Sequence, residues 1–412
     1  LLSFPGGALV HFAVSNREVH MTTRLQGPQT EFLPFNQGDG GGAGNPLNPS
    51  GGHRTAYLWE QIWARDSWLE ILGRYLIAKR DKKKQIERVL FPRYHQLDVT
   101  RKLQAAILSD GPGGRYLVQH SAGSGKTNSI AWTAHFLAEL HDASHQKIFD
   151  SILVVSDRNV IDTQLQEAVF DFQRTTGVVE TITSKEGSKS SKLADALSGD
   201  KKIVVCTIQT FPRAIEAVRQ LSATQGKRFA VIADEAHSSQ SGEAAKQLKA
   251  VLTTEEAAEL ADGGEVSSED ILAAQMSARA EDAGITFVAF TATPKTKTME
   301  LFGTRPDPSR KPAPDNVPAP FHVYSMRQAI EEKFILDVLK NYTPYRLAFK
   351  LAHDGRDLDD KEVEKSAAVK KIMGWVRLHP YNIAQKVQVV VEHFREQVAP
   401  LLQGRAKAMV VV

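Results

Sequence analysis

The segment Val118-Gln119-His120-Ser121-Ala122-Gly123-Ser124-Gly125-Lys126-Thr127 carries the clearest chemistry in the chain. It follows an apolar run and opens a helix expected over Asn128–Leu140. A Gly-Ser-Gly-Lys-Thr turn in that setting binds phosphate. Its glycines let backbone N–H groups approach the oxygens, and the helix N-terminus adds partial positive charge. Lys126 is placed for the β- and γ-phosphates and the Thr127 hydroxyl for Mg²⁺. His120 stands where the general pattern G-x-x-x-x-G-K-[ST] has its first glycine. A second segment, Val231-Ile232-Ala233-Asp234-Glu235-Ala236-His237, is an apolar run ending in adjacent carboxylates. Asp234 suits the metal, Glu235 suits a general base that polarises water, and His237 suits a sensor of the γ-phosphate. A third, Phe290-Thr291-Ala292-Thr293-Pro294, also ends an apolar run. Each segment sits at the carboxyl end of an expected strand, the edge where open α/β sheets bind ligands.

The elements that must position these residues alternate regularly. Apolar strands are expected at Arg115–Gln119, Ser151–Val155, Lys202–Cys206, Phe229–Ala233 and Ile285–Phe290, with helical stretches between them. Near-continuous apolar strands separated by helices predict an α/β fold, a parallel sheet with helices on both faces. Ahead of it, Ala8–Val14 and Glu18–Thr22 alternate as half-buried strands do, and residues 56–78 have helical spacing. The glycine-rich stretch from Gly38 and the proline-rich stretch over residues 303–321 read as a loop and a connector. Thr253–Asp282, Met326–Leu339 and Ile383–Leu402 read as helices.

Composition narrows the class. The chain has 412 residues, a size for two or three domains at roughly 100–200 residues each. Its formal net charge of +3 excludes a uniformly basic binder but leaves room for a basic groove. One cysteine excludes a disulfide framework and points to a reducing, cytoplasmic setting. No apolar run approaches the roughly 18 residues of a membrane span, so no membrane is expected among the partners. A first residue other than Met, and a last run Lys407–Val412 that reads as a strand just starting, suggest part of a longer protein.

Phosphate loop, Asp-Glu-Ala-His and Thr-Ala-Thr in this order resemble a superfamily 2 helicase or translocase motor. The surrounding words Phe91-Pro92-Arg93-Tyr94-His95-Gln96, Phe32-Leu33-Pro34-Phe35-Asn36, Tyr57-Leu58-Trp59-Glu60 and Phe334-Ile335-Leu336-Asp337-Val338-Leu339 resemble the restriction subunit of type I restriction–modification enzymes. His120 fits that family's version of the loop. The resemblance implies a RecA-like domain over residues 86–305, preceded by the C-terminal part of an α+β nuclease-like domain over 1–85. A helical connector over 306–405 and the first strand of a second RecA-like domain over 406–412 would follow. It implies ATP and Mg²⁺ as cofactors, double-stranded DNA as substrate, and methyltransferase and specificity subunits as partners. The intact enzyme would translocate DNA with ATP and cut it.

Residue by residue, the resemblance gives ATP binding to Gln96, which reads adenine, and to His120, Ser121, Ala122, Gly123, Ser124, Gly125, Lys126 and Thr127. The metal falls to Thr127 and Asp234, and catalysis to Lys126, Asp234, Glu235 and His237. DNA contact falls to Ser156, Asp157, Arg158, Thr207, Gln209 and Thr210, whose hydroxyls, amide and arginine suit phosphates rather than bases. Thr291, Ala292 and Thr293 would couple nucleotide to DNA. The nuclease's Glu-x-Lys constellation is absent before residue 56, and no arginine here matches the one a second RecA-like domain supplies.

Other features point to structure. Gly38-Asp39-Gly40-Gly41-Gly42-Ala43 satisfies the dinucleotide pattern, but Asn45-Pro46 follows it instead of a helix. Cys206 reads as a small buried residue, and Trp59, Trp63 and Trp68 as core. The basic run Lys79–Lys84 reads as a solvated linker.

Overall fold

The computed structural model describes residues 6–81, 83, 85–156, 159–172, 177–181, 196–197, 199, 201–207, 211–234, 239–240, 266–267, 284–307, 309–310, 313–337, 380–400 and 406–408. The chain forms two units, Leu1–Glu332 and Lys333–Val412.

The first unit begins with the alternating runs. β1 (His11–Val14) and β2 (Val19–Thr22) pair antiparallel with Val14 opposite Val19, and β3 (Leu33–Pro34) joins the far side of β2. The helix expected over 56–78 is broken. A π-helical turn at Leu58–Ile62 is followed by α1 (Arg65–Glu70) and a second π-helical turn at Ile71–Tyr75. Ala64 lies between the first two with an extended ψ of 137°. Trp68 is half-buried against the core, but Trp59 and Trp63 are each 43% exposed, so the core expectation fails for these two. The expected basic linker is a hairpin, β4 (Ile77–Arg80) with β5 (Ile86–Leu90), and Lys79 pairs with Asp171 at 3.2 Å.

Among the described residues, the main sheet contains seven strands, all parallel. They are β6 (Arg115–His120), β7 (Ser151–Ser156), β8 (Val179–Thr181), β9 (Ile203–Thr207), β10 (Phe229–Ala233), β13 (Ile285–Thr291) and β14 (His322–Tyr324), in the order β14-β6-β13-β10-β7-β9-β8. A separate pair, β11 (Ser239–Gln240) and β12 (Val266–Ser267), is antiparallel. Five of the seven strands are the expected ones. β8 and β14 are additions, each three residues long and too short to show a period. The proline-rich stretch, expected as a connector, thus returns the chain to the sheet as β14.

Both faces of this sheet are covered, which explains the unbroken apolar strands. Val118, Val154, Val205, Ile232 and Phe290 face a core shared with α2 (Tyr94–Asp110), α3 (Lys126–Ala138) and α4 (Asn159–Asp171). Leu117, Val155, Cys206, Val231 and Ala289 face the opposite core, shared with α5 (Phe211–Gln225) and α6 (Thr296–Phe302). Cys206 is buried, as expected. The first 80 residues belong to the former core. Val19, Phe35, Tyr57 and Tyr75 are buried in it, and Trp132 of α3 donates its indole N–H to the Tyr75 carbonyl at 3.1 Å. α7 (Met326–Glu331) closes the unit, shorter than the helix expected to Leu339.

In the second unit, α8 (Pro380–His393) runs into a π-helical turn at Phe394–Val398. Ile383, Val387, Val390 and Val391 of α8 are exposed. Most of the helix expected over Thr253–Asp282 and most of the strand expected at the chain's end lie outside the described residues. Among the described residues, no helix is long and apolar enough to cross a membrane.

Candidate nucleotide site

The phosphate loop sits between β6 and α3. Gly123 (φ +74°) and Gly125 (φ +76°) adopt left-handed backbone that other residues rarely take. The turn closes through Ser124 N–H to the Ser121 carbonyl at 3.3 Å, and Asn128 N–H to the Gly125 carbonyl at 3.0 Å begins the helix. Lys126 Nζ donates to the His120 carbonyl at 3.2 Å. Ser121 N–H donates to the Tyr324 carbonyl of β14 at 2.9 Å, tying the loop to the sheet edge.

The first turn of α2 grips the loop from its other side. Arg93 Nη1 donates to the Gly123 carbonyl at 3.0 Å. His95 Nε2 lies 2.9 Å from the Ser124 carbonyl; a carbonyl only accepts, so this nitrogen carries the proton. Gln96 Nε2 donates to the Ser124 and Gly125 carbonyls at 3.3 and 3.1 Å, while its Oε1 accepts from Arg93 N–H at 2.9 Å. The amide of Gln96 is therefore occupied within the chain and is buried. In this conformation Gln96 holds the loop.

His120 is fully buried. Its Nε2 lies 2.8 Å from His322 Nδ1, and His322 Nε2 lies 3.0 Å from Asp98 Oδ2. Burial, and then the neighbouring Arg93 charge, holds His95 well below the ordinary histidine range; burial, and then His95, does the same for His120. Burial alone would raise Asp98, but hydrogen bonds from His322 and Lys102 outweigh it and hold the carboxyl below its usual value. The His120 carbonyl accepts from the loop lysine, while its ring meets His322.

The other expected residues fall along the same sheet edge. Ala233 is level with Val155 on one side and Ala289 on the other, and Ser156 is level with Thr207. Asp234 donates its N–H to the Val155 carbonyl at 2.9 Å. Asp234, Ser156 and Thr207 thus form one row at the ends of β10, β7 and β9, with neighbouring strands about 4.8 Å apart. Thr291 ends β13, between β6 and β10. The hydroxyls of Thr291, Ser156 and Ser124 are buried and have no hydrogen-bond partner among the described residues. Ala292 is half-buried and Thr293 exposed. Glu235, His237, Asp157, Arg158, Gln209 and Thr210 lie outside the described residues.

Residues 95–371 match the model of the SWI2/SNF2 ATPase. The chain belongs to the SWI2/SNF2 ATPase family. Membership implies nucleotide hydrolysis by a superfamily 2 RecA-like domain, with Mg²⁺ the usual companion. Solved structures similar to this ATPase chain include the Hef helicase domain of Pyrococcus furiosus, at 16% identity and TM-score 0.29, covering 50% of this chain and 36% of that one. A nuclease-deletion mutant of the Type ISP restriction-modification enzyme LlaGI in complex with a DNA substrate mimic is similar at 17% identity and TM-score 0.31, covering 50% of this chain and 15% of that one. The chain thus spans about a third of the first structure and about a sixth of the second. No curated protein sequence matches it.

Sequence reasoning missed Arg93, His95, Tyr324 and Glu332 as parts of this site. Arg93 and His95 flank the expected Gln96 within one helical turn, a signal that was present. Tyr324 and Glu332 lie more than 200 residues away along the chain, and only the fold brings them in.

Proposed function

We propose that this SWI2/SNF2 ATPase domain is the first motor lobe of an ATP-driven double-stranded DNA translocase, within the restriction subunit of a type I restriction–modification enzyme. The observation that carries the motor reading is the order along one sheet edge: phosphate loop, Thr291, Asp234, Ser156, Thr207. The residues fit a magnesium nucleotide. Two left-handed glycines shape the loop, a lysine stands at the helix start, and the buried Ser124 hydroxyl lacks a partner among the described residues. Lys126 and the loop's backbone N–H groups would hold the phosphates, while Thr127 and Asp234 would hold Mg²⁺. When bound, Mg²⁺ neutralises charge on the phosphate oxygens. Glu235 would orient water as general base, and His237 would report the state of the γ-phosphate.

Ser156, Asp157, Arg158, Thr207, Gln209 and Thr210 would contact the DNA backbone one and two strands from Asp234. Such contacts carry no sequence information, as a motor moving over any sequence requires. Thr291, Ala292 and Thr293 lie between loop and acid and would couple the two activities. The narrower assignment rests on the words around Gln96 and on those at residues 32–36, 57–60 and 334–339. It brings methyltransferase and specificity subunits as partners.

Calorimetric titration of the chain with ATP and Mg²⁺ tests the site. Lys126→Ala should abolish binding; unchanged binding would sink the phosphate-loop assignment. For the full-length protein, translocation without net strand separation is expected, and efficient strand displacement would favour a helicase instead.

A further inference from the structure

The Arg93 guanidinium is the centre of a buried strut that the motor motifs do not include. The side chains of Arg93 and Glu332 are 8% and 4% exposed. Arg93 Nη1 donates to the Gly123 carbonyl at 3.0 Å, while Nη2 donates to Tyr324 Oη at 2.5 Å and to Glu332 Oε2 at 3.2 Å. The Tyr324 hydroxyl donates to Glu332 Oε2 at 2.7 Å, and Gln328 Nε2 donates to Glu332 Oε1 at 2.9 Å. The carboxylate is thus bonded on both oxygens, and the guanidinium spans the distance between carboxylate and loop.

Glu332 is the last residue of the first unit. The next residue, Lys333, has φ +63°, a backbone conformation that a non-glycine residue adopts only when its surroundings enforce it. A fixed carboxylate on one side of a strained residue marks an anchored exit.

We propose that Arg93 is a positioning residue for the phosphate loop and that Glu332 is its counter-anchor, so that the loop and the chain's exit from the first unit form one rigid piece. This rests on the phosphate-loop reading above. A nucleotide that fixes the Gly123 carbonyl also fixes Arg93, hence Glu332, hence the segment from Lys333 to Asp337. A buried ion pair can usually be replaced by apolar side chains of similar volume without loss of stability. The replacement therefore separates positioning from folding.

The test uses the full chain, with ADP and Mg²⁺ as probe. The double variant Arg93→Met/Glu332→Met should keep a melting temperature close to that of the parent. Its affinity should fall about tenfold, the worth of one charge-assisted hydrogen bond to the loop. In the parent, the probe should slow amide exchange at Lys333–Asp337; in the variant it should not. Parent-like affinity together with parent-like protection in the variant would overturn the proposal. Should the double variant not fold, Glu332→Gln keeps the shape and loses the charge, and the same loss of exchange protection is expected of it; retained protection would count against the strut. Lys126→Ala separates the two claims. If it leaves ADP binding unchanged, the phosphate-loop reading itself fails; if it abolishes binding while the Arg93/Glu332 variant binds and protects normally, only the strut fails.

Discussion

Replacing Gly125 by alanine places a methyl group 2.7 Å from Gln96 Nε2, inside any real contact distance. It also asks an L-residue to hold φ +76° and ψ 38°. The left-handed backbone costs about 1–2 kcal/mol. Relief of the clash requires the Gln96 amide to move, yet that amide is bound at Ser124, Gly125 and Arg93. Losing one or two of these bonds costs about 1 kcal/mol each, for a total of about 2–4 kcal/mol. Gly226→Ala is the control. Its φ of +63° carries the same backbone strain, and an added Cβ meets nothing within 4 Å. Urea unfolding of both variants should show Gly125→Ala to be the more destabilised by about 1–2 kcal/mol. Calorimetry with ADP and Mg²⁺ should show affinity down by about tenfold or more for Gly125→Ala and unchanged for Gly226→Ala. Equal unfolding midpoints together with equal affinities would refute the view that Gln96 and the loop backbone form one fitted unit.

Two further outcomes follow from the buried groups. His95 and His120 have folded-state values well below about 6.5, the value they regain on unfolding, so below that pH the unfolded chain binds more protons and stability falls. Urea unfolding should show a loss of up to about 1.4 kcal/mol per pH unit from each histidine between about pH 6.5 and 5.5, and a flat or rising profile there would contradict their burial as neutral rings. Trp132 is 2% exposed and bonded to the Tyr75 carbonyl, so Trp132→Ala should cost about 3–5 kcal/mol by equilibrium unfolding; a cost under about 1 kcal/mol would mean that α3 does not seat on the first 80 residues as described.

How much of this was legible in the sequence depends on the scale of the signal. The five long strands could be read because burial on both faces leaves runs such as Phe229–Ala233 almost wholly apolar. The phosphate loop could be read because its glycines, lysine and flanking elements are contiguous. β8 and β14 could not, since three residues carry no period. The helix expected over 56–78 had a sound apolar spacing, but the turn at Ala64 splits it and leaves Trp59 and Trp63 half outside. Gln96 could be read as an amide ahead of the loop, and only the fold shows its hydrogen bonds to the Ser124 and Gly125 carbonyls. Arg93 and Glu332 are 239 residues apart, a separation no local pattern spans.

The strand order has a consequence for the time at which the site comes into being. β6 ends at His120, but its two neighbours are β13, beginning at Ile285, and β14, beginning at His322. Ribosomes add about 5–20 residues per second, so β6 waits roughly 10–30 s for its first neighbour. Through that interval both hydrogen-bonding edges of the strand that carries the loop lack their eventual partners, and the loop lacks Tyr324. Nucleotide therefore cannot stabilise the nascent chain early. The parts of the site that meet first in synthesis are α2 and the loop, and the gripping triad of Arg93, His95 and Gln96 is the local contact available to shape the loop until the late strands arrive.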